Sequence, residues 1–218
     1  MAKPELPRGY LGAQPKFGDV GLSTLSHDNP EITLDTNEVE IKFRTKYPVK
    51  VTANLVNTIT QQESSDTIFT QTQGDVVSFI VKMSSVGYHK FQIFALKASD
   101  DSKTLPGVYN YLLNCTRLSH RVLQFPKQYA QWKQGCYLSE PLTIDPDGSL
   151  NDIKFRVLVP GAHAVAITVG DNWTQLENVG KDNWEGRASA VRGERLTLNA
   201  NYKGADSTKY ATLLEYAL

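Results

Sequence analysis

From Glu38 onward the chain alternates. Val39, Ile41 and Phe43 are separated by Glu40, Lys42 and Arg44, and Val51, Ala53 and Leu55 by Thr52 and Asn54. A two-residue period places one side of an extended segment inside and the other in water, so each run predicts a half-buried β-strand. The polar segment 58–73 predicts a loop followed by an edge strand. Val76–Val81 and Tyr88–Ala95 predict two more strands joined by a turn at Ser84–Gly87. Leu105-Pro106-Gly107 signals a turn before a closing strand, Val108–Cys115. No stretch before Cys115 sustains a helical period.

The second half repeats the first. NDIKFRVLVPGAHAVAIT (151–168) aligns with EVEIKFRTKYPVKVTANL (38–55), and Ile-Lys-Phe-Arg is identical at 41–44 and 153–156. Near the other end, ALKASDDSKTLPGVYNYLL (95–113) resembles NYKGADSTKYATLLEYAL (201–218). Two matches flanking the same strand pattern indicate a duplicated domain. Strands every eight to twelve residues, over about a hundred residues per copy, predict an all-β chain of two tandem immunoglobulin-like β-sandwiches. The Cys–Trp–Cys pattern of antibody domains is absent.

The segments outside the alternating runs are not featureless. Residues 1–30 are broken by Pro4, Pro7, Gly9, Gly12, Pro15, Gly18, Gly21 and Pro30, yet carry Tyr10, Leu11, Phe17, Val20, Leu22 and Leu25. That mixture predicts an ordered, irregular lead-in rather than a disordered tail. Residues 116–136 hold Phe125, Pro126, Tyr129 and Trp132, where a flexible tether would be rich in Gly, Ser or charge. They are expected to form a docked, aromatic interdomain joint. The predicted organisation is thus a lead-in (1–30), a first sandwich (31–115), a docked linker (116–136) and a second sandwich (137–218).

Composition narrows the function. Lys+Arg and Asp+Glu are both 23, and the halves are balanced too: 11 basic against 12 acidic residues through Cys115, then 12 against 11. No basic face is expected for nucleic acid or an anionic membrane. No apolar run approaches the roughly 20 residues of a membrane-spanning helix. The start, MAKPELPRGYLG, lacks the apolar core of a secretory signal. Cys115 and Cys136 are too few for a disulfide framework or a cysteine zinc site, and read as free, buried thiols, with a bridge closing the joint as the alternative.

Candidate chemistry is sparse. His27, His89, His120 and His163 lack metal-ligand spacing. His89 reads as lying on the polar side of its strand and His163 as lying in a turn. Cys115 and His120 are close in sequence, but a thiol at the end of an apolar strand is core filler before it is a nucleophile. Asp145-Pro146-Asp147-Gly148 reads as a β-turn, since later calcium ligands are missing. Neither cofactor nor metal is expected. Trp173 and Trp184 each follow an Asp-Asn pair within VAITVGDNWTQLENVGKDNWEG (165–186). That arrangement resembles the sugar-stacking face of starch-binding Ig-like modules, so a carbohydrate-binding surface using both indoles is the alternative function. Packing of both within the domain is the competing reading.

The run YNYLLNCTRLSHRVLQFPKQYAQWKQGCYLSEPLTIDPDGSL (109–150) resembles the C-terminal region of the kyphoscoliosis-peptidase/hillarin family. The lead-in GYLGAQPKFGDVGLSTLSHDNPEI (9–32) and VPGAHAVAITVGDNWTQLE (159–177), with NWEG (183–186), are similar to that family's first and second Ig-like domains. The resemblance covers nearly the whole chain. It implies a tandem of Ig-like domains following a transglutaminase-like domain whose Cys-His-Asp triad maps to no part of this sequence. It further implies a non-catalytic, cytoplasmic protein-interaction or scaffold module with a cytoskeletal partner.

Overall fold

Each alternating segment becomes a strand in the computed structural model, which describes residues 2–218. The chain divides into two units, one ending at Val122 and the other running Leu123–Leu218. The first contains β1 (Gly12–Ala13), β2 (Leu22–Thr24), β3 (Glu31–Leu34), β4 (Glu38–Thr45), β5 (Val49–Asn57), β6 (Glu63–Ser64), β7 (Ile68–Gln73), β8 (Val76–Lys82), β9 (Gly87–Lys97) and β10 (Gly107–Cys115). The second contains β11 (Lys127–Gln128), β12 (Tyr137–Glu140), β13 (Ile153–Leu158), β14 (Ala162–Val169), β15 (Asn172–Gln175), β16 (Glu177–Gly180), β17 (Asn183–Ala188), β18 (Leu196–Tyr202) and β19 (Ala211–Tyr216). One 3₁₀ turn, Ala130–Lys133, lies between β11 and β12.

The duplication is written in the strand order. In the first unit one sheet runs β1-β10-β9-β5-β6 and the other β2-β4-β8-β7. In the second the orders are β11-β19-β18-β14-β15 and β12-β13-β17-β16, a one-for-one correspondence. Two such sheets facing each other, antiparallel apart from one parallel pairing, make an Ig-like sandwich. That parallel pairing, of β3 with β10, is peculiar to the first copy among the described strands.

Inward residues follow the two-residue period. Ile41, Phe43, Phe79, Phe91 and Ile93 are buried in the first core, and Phe155, Val157, Val165, Ile167 and Leu198 in the second. Phe43 meets Phe79 edge-to-face at 5.9 Å, and Phe79 meets Phe91 at 5.8 Å. Burying each such ring contributes about 1.5–3 kcal/mol. Ile153, the counterpart of Ile41, is only half-buried because it opens its strand. A tyrosine of each last strand ties the sheets together in the same way: Tyr111 Oη donates to the His27 carbonyl and Tyr216 Oη to the Pro141 carbonyl, both at 2.7 Å. Each acceptor lies just beyond the first strand of the opposite sheet.

The irregular segments belong to this plan. The lead-in supplies β1, which pairs with β10, and β2, which pairs with β4. Between them Phe17 packs against Phe43 at 5.9 Å and Tyr109 at 5.2 Å. The segment 123–136 has the same design. Its β11 pairs with β19, its next strand β12 joins the other sheet, and buried Trp132 sits between them in the 3₁₀ turn. Lead-in and linker are therefore the same element in two copies.

The chain leaving β10 is pinned to the first unit by Asn37, which is only 1% exposed. Asn37 Nδ2 donates to the carbonyls of Met83 and His120, both at 2.9 Å. Its Oδ1 accepts the backbone N–H groups of Ser119 (3.1 Å) and His120 (3.0 Å), and the Ser119 hydroxyl. Arg117 Nε and the Thr116 hydroxyl add bonds to the Asp35 and Leu34 carbonyls.

Candidate functional surface

The aromatic residues of the linker take distinct places within the second unit. Phe125 and Trp132 are buried, 8% and 2% exposed, and Pro126 is buried as well. Tyr129 is half-buried: its N–H donates to the Leu213 carbonyl at 2.9 Å, its hydroxyl donates to Glu215 Oε1 at 2.7 Å, and Lys127 Nζ lies 5.0 Å from its ring. Arg195 reaches the same carboxylate at 3.1 Å. Trp132 thus anchors the start of the sandwich through the 3₁₀ turn beside β19, while Tyr129 shares the Glu215 carboxylate with a cation.

Trp173 and Trp184 do not form one face. Trp173 stands on β15 opposite Thr168, on the side of β14 away from Val165, Ile167 and Val169. Trp184 stands on β17 opposite Val157, which is buried, so its ring points inward. Trp173 is 53% exposed and Trp184 only 5%. The expected two-indole sugar platform is corrected on this point: the flanking Asp-Asn pairs are alike, but the residues belong to opposite sheets and opposite sides of them. Among the described residues the Trp184 Nε1–H has no hydrogen-bond partner, which is unusual for a buried donor.

Trp173 has a different aromatic neighbour, Tyr210, at 5.0 Å between centroids and 65° between planes. Gln175 Nε2 donates to the Tyr210 hydroxyl at 3.3 Å, linking edge strand β15 to the loop before β19. The sequence reading missed Tyr210, which lies in a loop with no periodicity to place it. The following strand, β16, is the edge of the other sheet; all four of its residues are exposed, including Val179 at 51%. Two consecutive edge strands therefore offer backbone N–H and C=O groups beside an exposed indole and an exposed Val.

The histidines and cysteines divide by environment. His89 was expected on the polar side of β9 and is instead buried, 3% exposed. Counting back by twos from Ala95, Ile93 and Phe91 puts His89 on the inward side, and burial lowers its pKa. His27 and His163 are on the surface, and the exposed His120 ring bonds the Ser119 hydroxyl at 2.9 Å. Cys115 and Cys136 are free and buried. Burial raises both thiols, Cys136 to about 12, which opposes thiolate formation at neutral pH. Asp145–Gly148 forms a turn, with the Gly148 N–H bonded to the Asp145 carbonyl at 3.0 Å. Among the described residues no group of three or more His, Cys, Asp or Glu could hold a metal ion, and no helix is long and apolar enough to cross a membrane.

Fold and surface together define a tandem Ig-like β-sandwich protein with open sheet edges. The chain belongs to the KY-like, immunoglobulin-like domain family, whose model matches residues 4–126. It is 24% identical over 200 residues to the kyphoscoliosis peptidases of Mus musculus and Homo sapiens, an overlap covering 90% of this chain. It spans only 30% of the length of each of those proteins. Among solved structures, a chimeric titin Z1Z2 tandem overlaps 86% of this chain and 90% of its own, with 8% identity and a TM-score of 0.27.

Proposed function

We propose that this chain is a non-catalytic protein-interaction and scaffold module of a cytoplasmic, cytoskeleton-associated protein of the transglutaminase-like class. The observation that carries the reading is the flank of the second unit. There, edge strands β15 and β16 lie next to each other in the chain, and Trp173, 53% exposed, packs edge-on against Tyr210. An open sheet edge recruits an extended segment through main-chain hydrogen bonds, and an exposed Trp is the kind of side chain that dominates binding energy. Kinship with the kyphoscoliosis peptidases supports placing an enzyme-like domain elsewhere in a longer protein, with this region as its binding portion.

The reading is tested by co-sedimentation of the full chain with purified cytoskeletal filaments. Trp173→Ala should weaken binding by tenfold or more, a loss typical of a central interface aromatic. Val179→Pro should do the same by removing a backbone donor from the β16 edge. Sedimentation no greater than that of an unrelated sandwich, or unaffected by both changes, would overturn the reading. The carbohydrate alternative loses its second stacking residue to the burial of Trp184.

A further inference from the structure

The two copies diverge at the connection between the fourth and fifth strands of their shared plan. In the second copy β14 and β15 are joined by Gly170-Asp171 alone, with Gly170 at φ +58, as a tight hairpin requires. In the first copy the connection is five residues long, Thr58–Gln62. It is braced by Asn57, whose Oδ1 accepts the N–H groups of Ile59 (2.9 Å) and Thr60 (3.1 Å), and by Thr58, whose hydroxyl donates to the Tyr88 carbonyl at 2.9 Å. Gln61 is held at φ +60, a region side chains rarely adopt. The longer loop walls a cleft of 180 Å³ whose lining includes Leu55, Asn57, Gln62, Ser85 and His89. One water needs about 10–15 Å³ of such space, so the cleft has room for several waters or a group the size of an acetyl.

The hydrogen bonds inside the cleft run in one direction. His89 Nδ1 lies 3.1 Å from the Gly87 carbonyl, which can only accept, so the proton of the neutral ring sits on Nδ1. Nε2 then carries a lone pair, and the Ser85 hydroxyl, 3.2 Å away, donates to it. Asn57 Nδ2 donates to Ser85 Oγ at 3.0 Å, which leaves the hydroxyl proton free to point at the ring. His89 is buried and Ser85 half-exposed, so the base is shielded while the oxygen reaches the cleft.

We propose that Ser85 and His89 form a base-activated serine, and that the cleft accepts the short acyl group of an activated ester. Ser85 Oγ attacks the carbonyl carbon and its proton passes to His89 Nε2. Asn57 Nδ2, 3.0 Å from Ser85 Oγ, holds that oxygen in place. On collapse the bond from the acyl carbon to the leaving oxygen breaks, and the imidazolium returns the proton to that oxygen. The products are a Ser85 ester and an alcohol or phenol. This is a single modification of the module rather than turnover, and goes beyond the interaction role proposed above. Burial of His89 keeps the ring neutral through neutral pH, which leaves the Nε2 lone pair free to take a proton.

The test uses the full chain, p-nitrophenyl acetate and peptide mass spectrometry. The peptide containing Ser85 should gain one acetyl group, and Ser85→Ala should not. His89→Gln, folded as judged by circular dichroism, should acetylate at least ~100-fold more slowly, the usual loss on removing a positioned base. The wild-type rate should be flat above neutral pH and fall in acid as Nε2 is protonated. If His89→Gln does not fold, that wild-type pH profile decides. Acetylation confined to lysines, or a Ser85 rate indifferent both to pH below neutral and to His89→Gln, would overturn the proposal.

Discussion

Replacing Asn37 by Ala tests how the first unit holds its outgoing chain. The side chain makes two donor bonds and accepts three, all but one at 2.9–3.1 Å, from a site that is 1% exposed. Each such bond contributes about 1 kcal/mol net, and a buried partner left unpaired costs about 1–3 kcal/mol. Ser119 and His120 are exposed residues whose backbone groups can turn to water, so their bonds are largely replaced. The Met83 carbonyl belongs to a fully buried residue and is not so easily rescued. The expected loss is therefore about 3 kcal/mol, below the sum of five intact bonds. Asn37→Asp should be worse, because it keeps the acceptor but sets a carboxylate against two carbonyls. Urea denaturation gives the stability change, and hydrogen exchange at the Ser119 and His120 amides locates it. A loss below about 0.5 kcal/mol, in the range of ordinary surface changes, with protection of both amides retained, would refute the clamp.

Other outcomes follow from the same structure. Because burial lowers the His89 pKa, the unfolded chain takes up a proton below its ordinary 6.5 that the folded chain resists. Stability should be whole above that pH and decline as pH falls toward the lowered folded value; urea midpoints at pH 8 and pH 5 should differ less in His89→Gln than in the wild type. Trp184→Phe removes a buried N–H that has no acceptor among the described residues and should cost less than about 1 kcal/mol, against about 3–5 kcal/mol for Trp184→Ala, measured by thermal denaturation. Trp132→Ala should destabilise the second unit by a similar 3–5 kcal/mol and leave the first unit's transition in place, which calorimetry of the full chain resolves.

Much of the fold was legible because strands announce themselves by period. The Ile-Lys-Phe-Arg repeat marks β4 and β13, which occupy equivalent places in the two strand orders. What escaped was set by parity and by partners distant in sequence. His89 looks polar by composition, yet counting by twos from Phe91 places it inside. Trp173 and Trp184 share a local motif, and only the pairing of one with Thr168 and the other with Val157 separates outside from inside. Asn37 sits in an unremarkable Asp-Thr-Asn-Glu turn, and its role depends on Ser119 and His120, more than eighty residues away. The kinship of lead-in and linker was hidden because β1 and β11 are two residues long, too short to show a period.

The parallel pairing of β3 with β10 has a mechanical meaning. Leu112 through Cys115 face Glu31 through Leu34, bracketed by bonds from Leu112 N–H to the Pro30 carbonyl (2.7 Å) and from Thr116 N–H to the Leu34 carbonyl (2.9 Å). Once the short strands β1 and β2, which precede β3, have been drawn off, tension through the chain pulls β3 backwards along its own axis and β10 forwards along its own. All of these bonds are then loaded together, in shear. In the second unit the terminal pair β11 and β19 is antiparallel, with Lys127 opposite Glu215, so both pulled ends leave from the same end of the ladder. Its bonds are loaded one after another, as in a zipper. Two copies of one fold, in series on one chain, thereby bear load differently: behind its first short strands the first copy keeps a parallel pair loaded in shear, which the second lacks among the described strands.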